Sequence, residues 1–238
     1  MNNNTIQRPW NPTPILRTND LSLACNTIKP DKPTAYIPNA PYARLSPGDN
    51  ITVHFDNQLN WHNIPSTYFS QCSESQLLPG ETCPTDSCTT CSLYRWPHMR
   101  GPLLAYMAEC SSGDCSTEDA TKLKWFKVAQ DGLKPGFNNT DNLGWHQYLL
   151  ANPETYNIGW THSIPKNLRP GKYLMRHEMI WLPPTSGNTM VYQFYPYCSQ
   201  YELGGSGTSF PTEEYLVKFP GAYNETSGKR DVPLPVFW

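Results

Sequence analysis

The sequence predicts an all-β fold, an antiparallel β-sandwich with long loops and disulfides. Short apolar or alternating runs recur between Gly, Pro and Asn residues, whereas helical periodicity is scarce. The 238-residue chain also contains 24 Pro and an even number of Cys, eight. This length suits one β-rich domain with its own core, and no internal repeat supports a second one. We therefore expect residues 1–238 to form a single domain.

Six segments are predicted to be strands, in the order 50–55, 101–108, 122–128, 171–182, 190–197 and 215–219. In the fifth segment, alternation of side chains places Val191, Gln193, Tyr195 and Tyr197 on one face of the strand. The opposite face receives Tyr192, Phe194 and Cys198. A tyrosine in a strand more often packs with a hydrogen-bonded tip than binds a ligand, so this pattern alone favours a structural role.

A Cys-rich loop at about residues 58–95 is the longest connection between predicted strands, and it contains Cys72, Cys83, Cys88 and Cys91. A loop of this length without its own core needs cross-links, and two local disulfides would supply them. A zinc site is the alternative, since Cys88 and Cys91 form a CxxC motif, but the other two cysteines lack a matching spacing. Disulfides are therefore the favoured interpretation, and their pairing stays open.

The remaining four cysteines predict two further bridges. A Gly turn brings Cys110 and Cys115 close enough in sequence for a small loop-closing disulfide. Cys25 and Cys198 are then left, and a bridge between them would tie an early loop to the end of the fifth predicted strand.

Composition excludes several classes of partner. The net charge is −2 and no basic run occurs, so nucleic acid is not an expected partner. No apolar stretch is long enough to span a membrane, and a monomer is expected. The cysteines and four N-x-S/T sequons, at Asn3, Asn50, Asn138 and Asn224, indicate an extracellular, secreted protein. The polar segment "MNNNTIQRPW" contains no signal peptide, so the mature amino terminus is expected to differ from the given one.

Several motifs occur in an order that resembles one enzyme family. They are "NDLSLACN", "SPGDNITVHF", "GPLLAYMAECSSGDCST", "LKWFKVAQDGL", "LRPGKYLMRHEMIWL", "YQFYPYC" and "FPGAY". Together they resemble the fungal lytic polysaccharide monooxygenases of auxiliary activity family nine, formerly glycoside hydrolase family 61, from about Ile6 to Tyr223. The resemblance implies an immunoglobulin-like or fibronectin-like sandwich that binds cellulose or a related β-glucan on a flat face. It also implies oxidative cleavage of that polysaccharide with copper.

The resemblance assigns roles to individual residues. Family members hold copper with an amino-terminal His, an internal His before a Gly-Pro pair and an axial Tyr; imidazole and amine nitrogens suit both copper oxidation states. Tyr195 matches the axial Tyr, and Gln193 matches the Gln that hydrogen-bonds the bound oxygen species. Tyr223, in "FPGAY", is the candidate substrate-binding residue.

Two ligands of this copper site do not match the family pattern. The chain begins with Met1, and the family's opening strand with its His is expected to be missing. The internal His of the family stands two residues before the Gly, a place that Met99 holds here. His98 lies one residue further away, so we expect it to face solvent unless a bulge lets it reach the site.

The remaining candidate residues are expected to be structural. His177 shares a predicted strand face with apolar side chains, which favours packing. Glu213 and Glu214 are adjacent and would point in opposite directions in a strand, so they cannot form a glycosidase pair. The aromatic residues expected mostly to fill the core or plug loops are Trp10, Trp61, Trp96, Trp145 and Trp160.

The sequence leaves three functions open. The first is a copper-dependent monooxygenase that acts on or binds cellulose or a β-glucan, provided that its metal site is complete. The alternative is a non-catalytic homologue that binds polysaccharide or cell wall and has lost the copper ligands. A third hypothesis is an interaction protein that works through its Cys-rich loop.

Overall fold

The computed structural model of the chain describes residues 6–8, 13–26, 40–55, 96, 98–152, 155, 158–183 and 192–223. The Cys-rich loop lies outside these residues, and so do Trp10, Trp61, Asn3 and Asn224. Within the part of the chain that the structure describes, no helix has the length and apolar character needed to cross a bilayer.

The described residues form a β-sandwich, which confirms the predicted all-β fold. The strands are β1 (Ala43–Leu45), β2 (Asn50–Val53), β3 (Leu103–Glu109), β4 (Phe126–Asp131), β5 (Trp160–Ser163), β6 (Gly171–Trp181) and β7 (Gln193–Leu203). One sheet has the order β1-β7-β6-β3-β4 and the other pairs β2 with β5. All pairs are antiparallel except β1 with β7, which are parallel. The described α-helix is α1 (Gln147–Ala151), and short 3-10 turns lie at Leu21–Leu23, Cys115–Thr117, Asn142–Gly144 and Glu213–Tyr215.

The antiparallel pair β6 and β7 is the centre of the larger sheet, and both of its faces are covered. Alternation along β7 sends Phe194 and Cys198 into one core cluster. Tyr195 and Tyr197 pack against another cluster, on the opposite face. The predicted division of this strand is therefore confirmed for these residues, whereas Val191 lies outside the described part of the chain.

The first face of the sheet is covered by loops rather than by a second sheet. Cys25 bridges to Cys198 and Cys110 bridges to Cys115, as predicted. The fully buried Arg176 donates to the carbonyl oxygens of Leu23 and Ala24 and to the carboxylate of Glu178. These bonds fasten the early loop onto β6.

The second face packs against β2 and β5 and forms the interior of the sandwich. Apolar contacts there include Met107 and Met175 with Ile164, and Met179 with Trp160. A buried hydrogen bond also joins the two sheets, because His162 Nε2 of β5 lies 2.9 Å from His177 Nε2 of β6. His177 therefore has a structural position, as its sequence context indicated.

Three predicted strands differ clearly from the structure. The fifth, predicted over 190–197, is described as Gln193–Leu203 and continues past its predicted end. The segment 122–128 becomes a strand only from Phe126, since Asp119 closes a turn with Thr121 and Lys122 immediately before it. The segment 215–219 is not a strand; Val217 alone makes an isolated bridge, to Trp125. Glu213 and Glu214 lie in the preceding 3-10 turn.

Candidate functional site

Five side chains meet at one end of the β6–β7 pair. Gln193 and Tyr195 extend from β7, Trp181 ends β6, and Trp96 and His98 belong to the segment that leads into β3. The register places Trp181 opposite Gln193 and Met179 opposite Tyr195. Residues two apart on a strand share a face, so Trp181, Gln193 and Tyr195 face the same side of the sheet.

A chain of hydrogen bonds links three polar groups of this cluster. The hydroxyl of Tyr195 donates to Gln193 Oε1 at 2.5 Å and lies 2.9 Å from His98 Nε2. A phenol has only one proton, so with this proton on Gln193 the ring nitrogen of His98 must donate to the Tyr195 oxygen. His98 is therefore held as the tautomer that carries its proton on Nε2.

Aromatic contacts fix the ring of His98 in place. It stacks on Trp181 with 4.5 Å between ring centroids and an interplanar angle of 22°. Trp96 meets the rings of both His98 and Tyr195 edge to face, at 5.1 and 4.8 Å. This packing leaves the imidazole little rotational freedom.

The expectation that His98 faces solvent was wrong, and the backbone around it explains why. Leu182 N donates to Arg100 O and Ile180 N donates to Pro102 O, which continues the pairing of β6 beyond β3. Gly101 permits this approach, because a Cβ at its place would lie 1.7 Å from Ile180 O. Met99 is instead the exposed residue, so the neighbouring His98 turns inward.

Burial sets the protonation states in the cluster. Desolvation lowers the pKa of His98 to about 4. The same effect raises the pKa of the Tyr195 phenol above its ordinary value. At neutral pH the site therefore presents a neutral imidazole and a protonated phenol.

The imidazole of His98 and the phenol of Tyr195 are groups that would suit a copper ion chemically. Their separation of 2.9 Å is that of a hydrogen bond. Within the described residues, however, no group of three or more His, Cys, Asp or Glu could hold a metal ion. A tightly held copper ion would thus need nitrogen ligands beyond these residues.

Tyr223 does not join the cluster, which corrects its assignment to a substrate surface. Its side chain is only 4% exposed, its ring stacks on Phe194, and its hydroxyl donates to Glu178 Oε2. The ring is therefore part of the core and offers no face to a sugar. The described Trp96, Trp145 and Trp160 are likewise buried, as expected.

Sequence reasoning missed Trp181 as a member of the site. It ends a predicted strand at a position that pairs with Gln193, so the expected pairing of these two strands would have indicated it. No comparable pattern in the sequence indicated the contact of Trp96 with Tyr195.

Comparison with known proteins finds similarity to one family. The sequence model of Auxiliary Activity family 9 (formerly GH61) matches residues 2–232. Lytic polysaccharide monooxygenase B of this family from Heterobasidion irregulare is 38% identical over 170 residues, which are 66% of this chain and 66% of that protein. Monooxygenase D from Gloeophyllum trabeum is 39% identical over 133 residues, 55% of this chain and 35% of that protein. The chain thus spans only part of the length of these curated relatives.

Solved structures show the same similarity. The crystal structure of HiLPMO9B superimposes with a TM-score of 0.69 at 28% identity and covers 99% of this chain and 88% of its own. A cellulose-active polysaccharide monooxygenase from M. thermophila has a TM-score of 0.66 at 26% identity, with coverage of 97% and 80%.

Proposed function

The chain belongs to Auxiliary Activity family 9, and from that premise we propose that it acts on cellulose or a related β-linked polysaccharide by copper-dependent oxidative cleavage. The observation that carries this proposal is the position of His98, whose Nε2 lies 2.9 Å from the hydroxyl of Tyr195 beside Gln193. We further propose that the protein works outside the cell as a monomer, without membrane or nucleic acid as partner.

His98 and Tyr195 are the residues that would hold copper. Copper bound there would supply the redox chemistry that activates oxygen or peroxide for cleavage of a glycosidic chain. A neutral imidazole has one ring nitrogen without a proton, and His98 would hold the metal through that nitrogen. Its low pKa keeps a second proton off the ring at neutral pH.

The other residues of the cluster orient and shield these two groups. Trp181 and Trp96 hold the imidazole and the phenol in position through the ring contacts described above. Gln193 Oε1 accepts a hydrogen bond from the Tyr195 hydroxyl. This bond fixes the direction in which the Tyr195 oxygen presents its lone pairs. Trp181 is half-buried and adds apolar indole surface on which a sugar could pack.

A second candidate function is a non-catalytic homologue that binds the same polysaccharides. One observation favours it: His98 and Tyr195 are hydrogen-bonded to each other, and the described residues contain no group of three or more His, Cys, Asp or Glu that could hold a metal ion. Such a protein would use the cluster for contact with sugars and not for chemistry.

Incubation with cellulose, copper and a reductant tests both functions. The bound protein fraction and the oxidised oligosaccharides are measured for the wild type, His98→Ala, Trp181→Ala and His54→Ala, since His54 is an exposed histidine elsewhere in the sandwich. Oxidised products that are lost in His98→Ala and kept in His54→Ala would support cleavage. Binding that Trp181→Ala weakens, without products, would favour the second function. A protein that neither binds nor oxidises any β-linked polysaccharide would overturn both.

A further inference from the structure

Two N-x-S/T sequons lie in the described part of the chain, and their conformations differ. Asn138-Asn139-Thr140 is in the connection between β4 and α1, whereas Asn50-Ile51-Thr52 lies in β2. Both asparagines are exposed, so exposure alone does not separate them. We propose that Asn138 is an N-glycosylation site and that Asn50 is left largely unmodified.

The Asn138 sequon is folded back on itself. Asn138 Oδ1 accepts hydrogen bonds from both the backbone nitrogen and the hydroxyl of Thr140, at 3.0 and 2.5 Å. Asp141 N donates to Asn138 O at 3.1 Å and closes a turn over the sequon. The Asn side chain and the Thr hydroxyl are thus already together, in a local turn that needs no distant strand.

This sequon also stands clear of the sandwich. All residues from 135 to 140 are exposed. Two side chains bind the backbone of the turn: Trp145 Nε1 donates to Asn139 O and Arg100 Nη1 donates to Thr140 O. A surface loop of this kind is where a large polar sugar can be attached without displacing the core.

The Asn50 sequon is held in the opposite way. Asn50 Oδ1 accepts from Ser163 Oγ at 2.8 Å, and the hydroxyl of Thr52 bonds to that of Thr161 at 2.8 Å. Both polar side chains of this sequon therefore point across to β5. An extended strand keeps the Asn amide and the Thr hydroxyl apart, and a transferase would have to separate β2 from β5 to bend it.

The modification is a group transfer from a lipid-linked diphospho-oligosaccharide. The bond between Asn138 Nδ2 and the first sugar carbon forms, and the bond between that carbon and the diphosphate oxygen breaks. The lipid diphosphate leaves with the electron pair, and Nδ2 releases one proton to a base of the oligosaccharyl transferase. No oxidant is consumed. The two described disulfides fit a chain that passes through the oxidising compartment where this transfer occurs.

A glycan here would also cover apolar surface. Phe137 precedes the sequon directly and is 41% exposed, and Leu143 of the same loop is 54% exposed. Exposed apolar residues that cluster are prone to association, and an attached sugar shields them. The unglycosylated protein should therefore self-associate more readily than the glycosylated one.

Peptide mapping of the full chain tests the proposal. The chain is secreted from a yeast host behind a cleavable leader, and glycan removal in heavy-oxygen water marks each occupied Asn by mass. We expect the mark on Asn138 in most molecules, its loss in Asn138→Gln and in Thr140→Ala, and no loss at Asn138 in Asn50→Gln. Asn50 marked as fully as Asn138, or an unmarked Asn138, would overturn the proposal.

A second measurement removes the dependence on secretion. The same four chains are translated into endoplasmic-reticulum microsomes, and protease protection shows which molecules have entered. A mobility shift that Asn138→Gln shortens by one glycan and Asn50→Gln leaves unchanged is expected. Protected chains whose shift is the same with and without Asn138 would contradict the assignment.

Discussion

His98 owes its neutral ring to the side chains that surround it. Stacking on Trp181 and the contact with Trp96 remove water from the imidazole, and this desolvation lowers its pKa to about 4. The physical consequence extends beyond ligand chemistry, because a group whose pKa differs between the folded and unfolded chain makes stability depend on pH.

The first prediction is a loss of stability in acid that depends on His98. The unfolded chain takes up a proton on this ring below about pH 6.5, and the folded chain does so only near the lowered value of about 4. The stability that the neutral ring provides is therefore present above pH 6.5 and is lost as the pH falls towards 4. Urea unfolding at several pH values should show a steeper acid decline for the wild type than for His98→Gln. Parallel declines would contradict the lowered pKa.

The second prediction concerns the buried Arg176. Its removal would leave the fully buried Glu178 carboxylate without its cation, although Tyr223 still donates to it, and would take the Arg176 donor from two backbone carbonyl oxygens. Arg176→Met should lower the free energy of unfolding by about 3–5 kcal/mol, the usual cost of an uncompensated buried charge. Arg44→Met is the matched control, since Arg44 forms an exposed pair with Glu202 and should change stability little. Equal urea midpoints for the two variants would contradict this role.

Sequence could place some of these residues and not others. Alternation predicted the shared face of Gln193 and Tyr195 because that rule needs only local backbone geometry. The inward position of His98 depends on backbone bonds between residues 100–102 and β6, which are distant in sequence. The burial of Tyr223 likewise depends on Glu178, a partner 45 residues away.

At the scale of elements, the hydrogen bond between His162 and His177 is a buried polar link between the two sheets. Both rings are buried, and burial lowers the pKa of each below its ordinary value. At neutral pH both rings are uncharged, so the Nε2–H of one ring donates a hydrogen bond to the Nε2 of the other.

The third prediction follows from this link. His162→Ala leaves a cavity between the sheets and an unpaired His177, which should cost about 1–3 kcal/mol of stability. Amide exchange should become faster in β2 and β5 than in β6, because the smaller sheet loses a buried polar attachment and keeps the bond from Trp160 Nε1 to Asp131 Oδ2. Thr161→Ser, which keeps the exposed hydroxyl that bonds to Thr52, should leave the exchange of β5 nearly unchanged. Exchange that is equally fast in both variants would show that the bond does not hold the sheets together.

Element length explains which strands sequence could find. The long strands β6 and β7 have eleven residues each and many alternating positions, so their pattern was clear. The three-residue β1 and the four-residue β5 were missed, since so few positions give no period to detect. The parallel pairing of β1 with β7 also depends on tertiary contacts that no local pattern records.

At the scale of the whole molecule, the two described disulfides differ mainly in how much chain each encloses. Cys25 and Cys198 are 173 residues apart and join the early loop to β7. Cys110 and Cys115 are five residues apart and close a local turn. Both pairs could be predicted from spacing and an even count, whereas the spacing of the other four cysteines defines no unique pairing.

The fourth prediction compares these two bridges. In the chain-entropy account a bridge across 173 residues stabilises the fold by up to about 5 kcal/mol. A bridge across five residues stabilises it by about 2 kcal/mol on the same account. Cys25→Ala with Cys198→Ala should therefore lower the urea midpoint clearly more than Cys110→Ala with Cys115→Ala. The reverse order would mean that native contacts around the bridges, and not loop closure, decide their effect.

The family assignment rests on residues 2–232 and the fold on the described residues, but the proposed reaction depends on one pair of side chains, His98 and Tyr195. Titration of the full chain with Cu(II) in a calorimeter tests that pair most directly, with His98→Ala as the variant and the exposed His54→Ala as its control. We predict binding that is lost in His98→Ala and kept in His54→Ala. Absence of Cu(II) binding, or binding that is the same with and without His98, would contradict the copper site and leave the polysaccharide-binding function as the proposal.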